Sequence, residues 1–193
     1  DAKEKIYLNG DNVAINNAAL YVSGNVQHYL INWNSKGLDL NDAILSADGN
    51  EIGAGLFVGS GSDKLYAYNS DLSFSNNRNP DPNAKYNQSG IWVTATDAGD
   101  GCNGDAEFHL YGGTLKINNN DLNGVQSSLN GHFVMNCTDT NVEVCDNGKL
   151  KYGFFASGDG LSYGYYTFTG TYENKPTLNI DGNKQNGVTG GSM

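Results

Sequence analysis

The chain has 193 residues, 21 acidic against 11 basic, a formal net charge of −10 and a single arginine, Arg78. An acidic chain without a clustered basic surface is a poor partner for nucleic-acid phosphate and for anionic membranes. No run of about 20 apolar residues is present, so no helix inserts into a membrane.

Solubility comes from amides, hydroxyls and turns, because there are 28 asparagines, 26 glycines and 12 tyrosines while only 17% of residues are charged. Glycine and asparagine interrupt every stretch before three helical turns accumulate, and no apolar period of 3.6 persists. What persists is alternation ended by Asn, Asp or Gly. In chain order the expected strands are KIYLNG, HYLINWN, LDLNDAIL, KLYAYN, DLSFSNN, EFHLYGG, TLKINNN, NVEVCDNG, YYTFTG and TLNIDGN. Each has the two-residue period of a strand with one buried face. The chain reads as all-β, one domain over 1–193, with frayed ends at 1–5 and 184–193.

Two kinds of echo run along these strands. The runs GLFV, GIWV, GHFV and GFFA begin at Gly55, Gly90, Gly131 and Gly153, and Ala19-Leu20-Tyr21-Val22 resembles them. They predict coils stacked through Leu20, Leu56, Ile91, His132 or Phe133, and Phe154, with the glycine ending a sharp turn. The stretch LYAYNSDLSFSNN (Leu65–Asn77) also matches FHLYGGTLKINNN (Phe108–Asn120), and YYTFTG with TLNIDGN is a third copy with TYENKP inserted. Asparagines at equivalent strand ends suit a solenoid, since they accept left-handed turns and stack on one another.

On these motifs, over most of residues 6–183, the chain resembles the parallel β-helix class in the broad pectin-lyase-like sense, including surface domains of bacterial adhesins. The resemblance implies a right-handed parallel β-helix, a repeat fold of surface or secreted proteins. An antiparallel sandwich or barrel is the alternative, because it too yields short strands with glycine turns.

Two loops break the rhythm, NNRNPDPNAKYNQSG (Asn76–Gly90) and TDAGDGCNGDAE (Thr96–Glu107). Insertions on solenoids are common binding sites, which makes Arg78, Tyr86, Asp97 and Asp100 candidate ligand contacts. Asp97, Asp100, Asp105 and Glu107 form an oxygen-rich set for a hard cation, calcium being the candidate; no other cofactor is expected. Tyr163, Tyr165 and Tyr166 in GLSYGYYTFTG form a candidate aromatic platform. Thr167, Thr169 and Thr171 make an outward row, and an ice-binding reading would need that row repeated in adjacent coils. Cys137 and Cys145 flank a turn-rich stretch that predicts a disulfide, with Cys102 reduced, and a disulfide would favour export.

His28, His109 and His132 lie in strands or after a turn without a GxSxG nucleophile or metal-site spacing, so no catalytic residue is assigned. The expected function is an extracellular bacterial surface domain, secreted or cell-bound, that adheres to a glycan or a host-surface protein without catalysis. The alternatives are a structural segment joined to other domains of a longer surface fibre, and a polysaccharide lyase or glycoside hydrolase.

Overall fold

The computed structural model describes residues 6–24, 29–35, 37–49, 51, 54–58, 64–78, 89–93, 106–127, 133–148, 161–162, 165–171, 173–184 and 188–189. Among them are seventeen strands and no helix. The first six are β1 (Ile6–Gly10), β2 (Val13–Asn16), β3 (Ala19–Ser23), β4 (Tyr29–Ser35), β5 (Leu38–Asn41) and β6 (Ile44–Asp48). Next come β7 (Ala54–Val58), β8 (Lys64–Ser73), β9 (Ile91–Val93), β10 (Ala106–Lys116), β11 (Val125–Ser127) and β12 (Phe133–Thr138). The chain ends with β13 (Asn141–Glu143), β14 (Leu161–Ser162), β15 (Tyr165–Thr169), β16 (Leu178–Asn179) and β17 (Val188–Thr189).

Every pairing between described strands is parallel. The protein is therefore a β-solenoid, and the antiparallel alternative falls. One sheet runs β1-β4-β7-β9-β11-β14-β17. The other has two limbs: β2, β5, the first half of β8, the first half of β10, β12 and β15 on one, and β3, β6, the second halves of β8 and β10, β13 and β16 on the other.

Side-chain alternation explains why these segments are strands. In β8 the burial pattern places Leu65, Ala67, Ser70 and Leu72 inward, with Tyr68 and Asn69 both outward where the two limbs meet. That slip of one residue is the corner. Its left-handed conformation recurs at Asn17, Asp42, Asn69, Gly112 and Asp139, and a second column follows the far limb at Gly24, Gly49, Asn76, Asn119, Asp146 and Gly182. Asn, Asp and Gly tolerate this region best, so the residues that end the strands in the sequence are the ones that turn the chain. Gly113 is held to glycine twice over, by a positive φ and by the Ser70 backbone, which a Cβ would strike.

Just after the second column, buried asparagines form a ladder. Asn77 Nδ2 donates to Asn120 Oδ1 (2.7 Å), Asn120 Nδ2 to Asn147 Oδ1 (2.9 Å), and Asn147 Nδ2 to Asn183 Oδ1 (2.9 Å). The second amide proton of each later rung goes to a main-chain carbonyl: Asn120 to Phe74, Asn147 to Ile117 and Asn183 to Val144. Main-chain N–H groups of Asn77, Asn120 and Asn147 donate to the same Oδ1 atoms. Buried amides are tolerable only when satisfied in this way.

The GΦΦV motifs are not one rung. Ile31, Leu56, Ile91 and Val125 stack in register in the seven-stranded sheet, so Leu56 and Ile91 are neighbours as expected. Leu20 instead pairs with Leu45, and Phe133 with Ala106, in the other sheet. His132 and Phe154 lie outside the described residues. The true third copy is Gly124-Val125-Gln126-Ser127, hidden because its later residues are polar. The glycine is required by space, not by a turn: a Cβ on Gly55 would sit 2.6 Å from the Ala47 carbonyl oxygen, and one on Gly90 2.5 Å from that of Phe74.

At the far end, Lys184 donates its N–H to the Asn147 carbonyl, and Val188–Thr189 pair with β14. The expected disulfide is not formed. Cys137 points into the core from β12, whereas Cys145 follows β13 on the other limb, half-exposed, with its thiol against the Asn179 carbonyl (3.6 Å). The Asp139–Thr140 corner between them sends the two side chains to different walls. Cys102 lies outside the described residues.

Candidate binding face

The outward residues of the first limb form a grid fixed by register. Tyr66 stands beside Asp39 on one side and His109 on the other, and Asn136 and Thr167 continue that row. Asn41, Tyr68, Tyr111, Thr138 and Thr169 make the next row, and Lys64, Glu107, Val134 and Tyr165 the row on the other side. Identical strand phase in adjacent coils puts aromatic residues side by side, and they pair. The rings of Tyr66 and His109 stack at 4.9 Å and 12°, those of Tyr68 and Tyr111 at 5.1 Å and 11°. Tyr68 and Tyr111 remain 43% and 38% exposed.

This spacing matches the distance between neighbouring strands, so the rings stand edge-out, with their faces turned along the direction that crosses the strands. Each pair thus has two covered faces and two that look across the shorter residues of the flanking strands. On the β12 side those residues are Asn136 and Thr138, and beyond them Thr167 and Thr169 on β15.

Polar groups hold the aromatic cluster in place. Lys64 Nζ lies 3.1 Å from Glu107 Oε1, and His109 Nε2 donates to Glu107 Oε2 at 3.0 Å. On the other side of the ring, His109 Nδ1 lies 3.4 Å from the Asn136 amide. The hydrogen bond from His109, followed by those from Lys64, outweighs burial and holds the Glu107 carboxyl below its usual range, while Glu107 holds the Lys64 ammonium above its own.

Of the residues expected to form the site, Arg78, Glu107, Tyr165 and Tyr166 are described. Tyr165 does reach this face, 50% exposed. Tyr166 is next to it and therefore inward: it is 1% exposed, with its ring edge-on to Phe133 at 6.1 Å, and burial pushes its phenol pKa up. It is core, not platform, because alternate residues of a strand point to opposite faces. Arg78 follows the asparagine ladder at the far corner, where its guanidinium meets the buried Asp121 at 3.2 Å. Tyr86, Asp97, Asp100, Asp105 and Tyr163 lie outside the described residues, as do His28 and His132. Of the expected cation set only Glu107 is described, and it is engaged by Lys64 and His109. Among the described residues no group of three or more metal-ligating side chains gathers.

In the sequence Tyr66, Tyr68 and Tyr111 stand among the aromatics that could support a sugar face, but not as neighbours on one surface, and His109 reads there as a structural histidine. The missing signal was already in the sequence: laying LYAYN over FHLYG sets Tyr66 on His109 and Tyr68 on Tyr111.

A concavity of about 300 Å³ opens beneath the inserted loop after β15, bordered by Cys137, Phe168, Thr169, Thr171, Thr177 and Leu178, so that it adjoins the candidate face at Thr169. Two of its hydroxyls are already used: Thr177 Oγ1 donates to Asn141, and Thr171 Oγ1 accepts from the N–H of Asn174. The first-limb face has more unspent polar capacity and more exposed ring. Comparison with protein-family models, curated proteins and solved structures found no match.

Proposed function

We propose that this chain is a non-catalytic binding domain of an extracellular bacterial surface protein, and that the outward face of β5, β8, β10, β12 and β15 recognises carbohydrate. The observation that carries the reading is the pair of stacked ring couples, Tyr66–His109 and Tyr68–Tyr111, on an exposed parallel sheet bordered by amides and hydroxyls. Ring faces give apolar support to the C–H face of a sugar, and Asn, Asp and Thr supply directional hydrogen bonds. The cluster is also held rigid before any ligand arrives, which reduces the ordering cost of binding. The non-catalytic reading is supported by the engagement of Glu107: a carboxylate tied to a lysine and a histidine on one open face is unlike the opposed pair that flanks a scissile glycosidic bond.

A structural role in a longer surface fibre is the second reading. Partly buried apolar residues that pack on the core occur at the two ends of the stack: Leu8, Val13, Ile15 and Leu20 at one, Phe168 and Ile180 at the other. A further coil on either end would cover them.

A glycan array probed with the intact chain and with Tyr68→Ala/Tyr111→Ala tests the first reading. Loss of glycan signal with an unchanged circular dichroism spectrum supports it. A protein that binds no glycan, or a double variant that binds like the parent, refutes it.

A further inference from the structure

The first-limb face is not uniform across the strands, and its asymmetry points to where a ligand lies. On β8 and β10 the outward residues are large: Lys64, Tyr66 and Tyr68, then Glu107, His109 and Tyr111. On β12 and β15 they are short except for Tyr165: Val134, Asn136 and Thr138, then Thr167 and Thr169. The result is a step. His109 and Tyr111 form a wall along β10, and a shelf two strands wide lies at its foot, about 10 Å across at the usual strand spacing. Tyr165 closes the shelf at one end.

The wall has chemistry on its open side. Tyr111 stacks on Tyr68 through one face only, so its other face looks over Thr138. Thr138 is half-buried and Thr169 beside it is exposed, and among the described residues no side-chain donor or acceptor engages the hydroxyl of either. Asn136 meets His109 through one end of its amide, and among the described residues the other end has no partner.

Charge selects further. The one basic side chain that reaches this face from the described strands is Lys64, and its ammonium is taken by Glu107 at 3.1 Å. Asp39 adds negative charge on the other flank, and the whole chain carries −10. An acidic polysaccharide would meet repulsion that no spare cation on the described strands of this face offsets.

Resting on the reading of this face as a carbohydrate surface, we infer that the ligand is a neutral polysaccharide lying parallel to the strands on the Asn136–Thr138–Thr167–Thr169 shelf, with one sugar ring against the open face of Tyr111. Its hydroxyls bond to Thr138, Thr169 and Asn136, and its next unit lies towards His109.

The test fills the shelf without touching the wall. Thr138→Tyr adds a third ring to the Tyr68–Tyr111 stack at the same cross-strand spacing, which favours folding, but it occupies the sugar's place. Thr169→Trp, at an exposed position one strand out, is the second blocking variant should the first fold poorly. Affinity electrophoresis is run in gels containing a soluble β-glucan, a mannan, a galactan or polygalacturonate. The expected result is retardation by at least one neutral polymer and none by polygalacturonate. Either blocking variant should weaken retardation at least tenfold, and so should Tyr111→Ala. If Tyr111→Ala weakens retardation while both blocking variants migrate like the parent, the shelf assignment is wrong and the carbohydrate-binding face survives. Stronger retardation by polygalacturonate than by the neutral polymers overturns the neutral-ligand assignment. No retardation by any polymer, or equal retardation of all variants, overturns both.

Discussion

Asn120 makes the clearest demand of any single side chain. Its Oδ1 accepts from both the main-chain N–H and the amide of Asn77, while its own amide reaches the Phe74 carbonyl and Asn147. Truncation to alanine removes the acceptor that two buried donors of Asn77 share, so Asn120→Ala is expected to cost roughly 3 kcal/mol in urea unfolding. Its neighbour Asn119 is a control. It turns the chain at φ +60° and donates to Asn76 in the open, so Asn119→Ala should cost only about 1 kcal/mol and Asn119→Gly less. Cys137 gives a second residue-scale prediction. Burial lifts its thiol pKa from the usual 9.0 to about 12. The folded pKa is the higher one, so this group's contribution to stability is whole below about pH 9 and drains away as pH rises towards 12. In native protein at pH 8, iodoacetamide followed by peptide mapping should modify Cys145 and spare Cys137 until the chain unfolds.

At the scale of the element, β10 carries both a structural rung and the candidate site, and the two can be separated. Glu107 on its outer edge has a depressed pKa because His109 and Lys64 hydrogen-bond to its ionised form. The sign follows: its contribution is present above the usual 4.5 and is lost as pH falls through the lower folded value. The group is partly exposed, so the amount is below about 1 kcal/mol. Glu107→Gln should flatten that part of the acid limb in a melting-temperature series from pH 6 to pH 3 while leaving the inward residues of β10 undisturbed. Strand type and corners were legible in the sequence because Asn, Asp and Gly cluster where φ turns positive. The stacking of Leu65–Asn77 on Phe108–Asn120 was legible because two copies repeat residue for residue. The rung through Val125 was not legible, since its glycine answers to crowding from a neighbouring coil and its later side chains are polar. The candidate face was half legible. Its aromatics stood out, but which of them share a surface depends on register, and Tyr166 shows that adjacency in the chain places two tyrosines on opposite sides of a wall.

For the molecule as a whole, each coil is buried by the coils on either side of it, and stability should grade along the stack. Inward residues of β8 and β10 are sealed, whereas the first and last coils, apart from buried Val22 and Tyr166, leave inward residues such as Val13, Ile15, Leu20 and Phe168 only partly buried. Amide hydrogen exchange is expected to be slowest in β8 and β10 and faster in β2, β3, β15 and β16, by at least tenfold at the ends. Uniform protection from end to end would mean that the coils unfold as one block.

The rungs are shared by circuits of very different size. Bonded partners lie 25 residues apart from Asn16 to Asn41, 27 from Asn120 to Asn147, 36 from Asn147 to Asn183 and 43 from Asn77 to Asn120. Contour length and alignment are therefore independent variables: a few turn-formers and amides act as punctuation, and the wording between them is free to lengthen. A sequence built this way can acquire or shed whole surface segments in one step without renegotiating its interior, so its outer surface can diversify much faster than its skeleton.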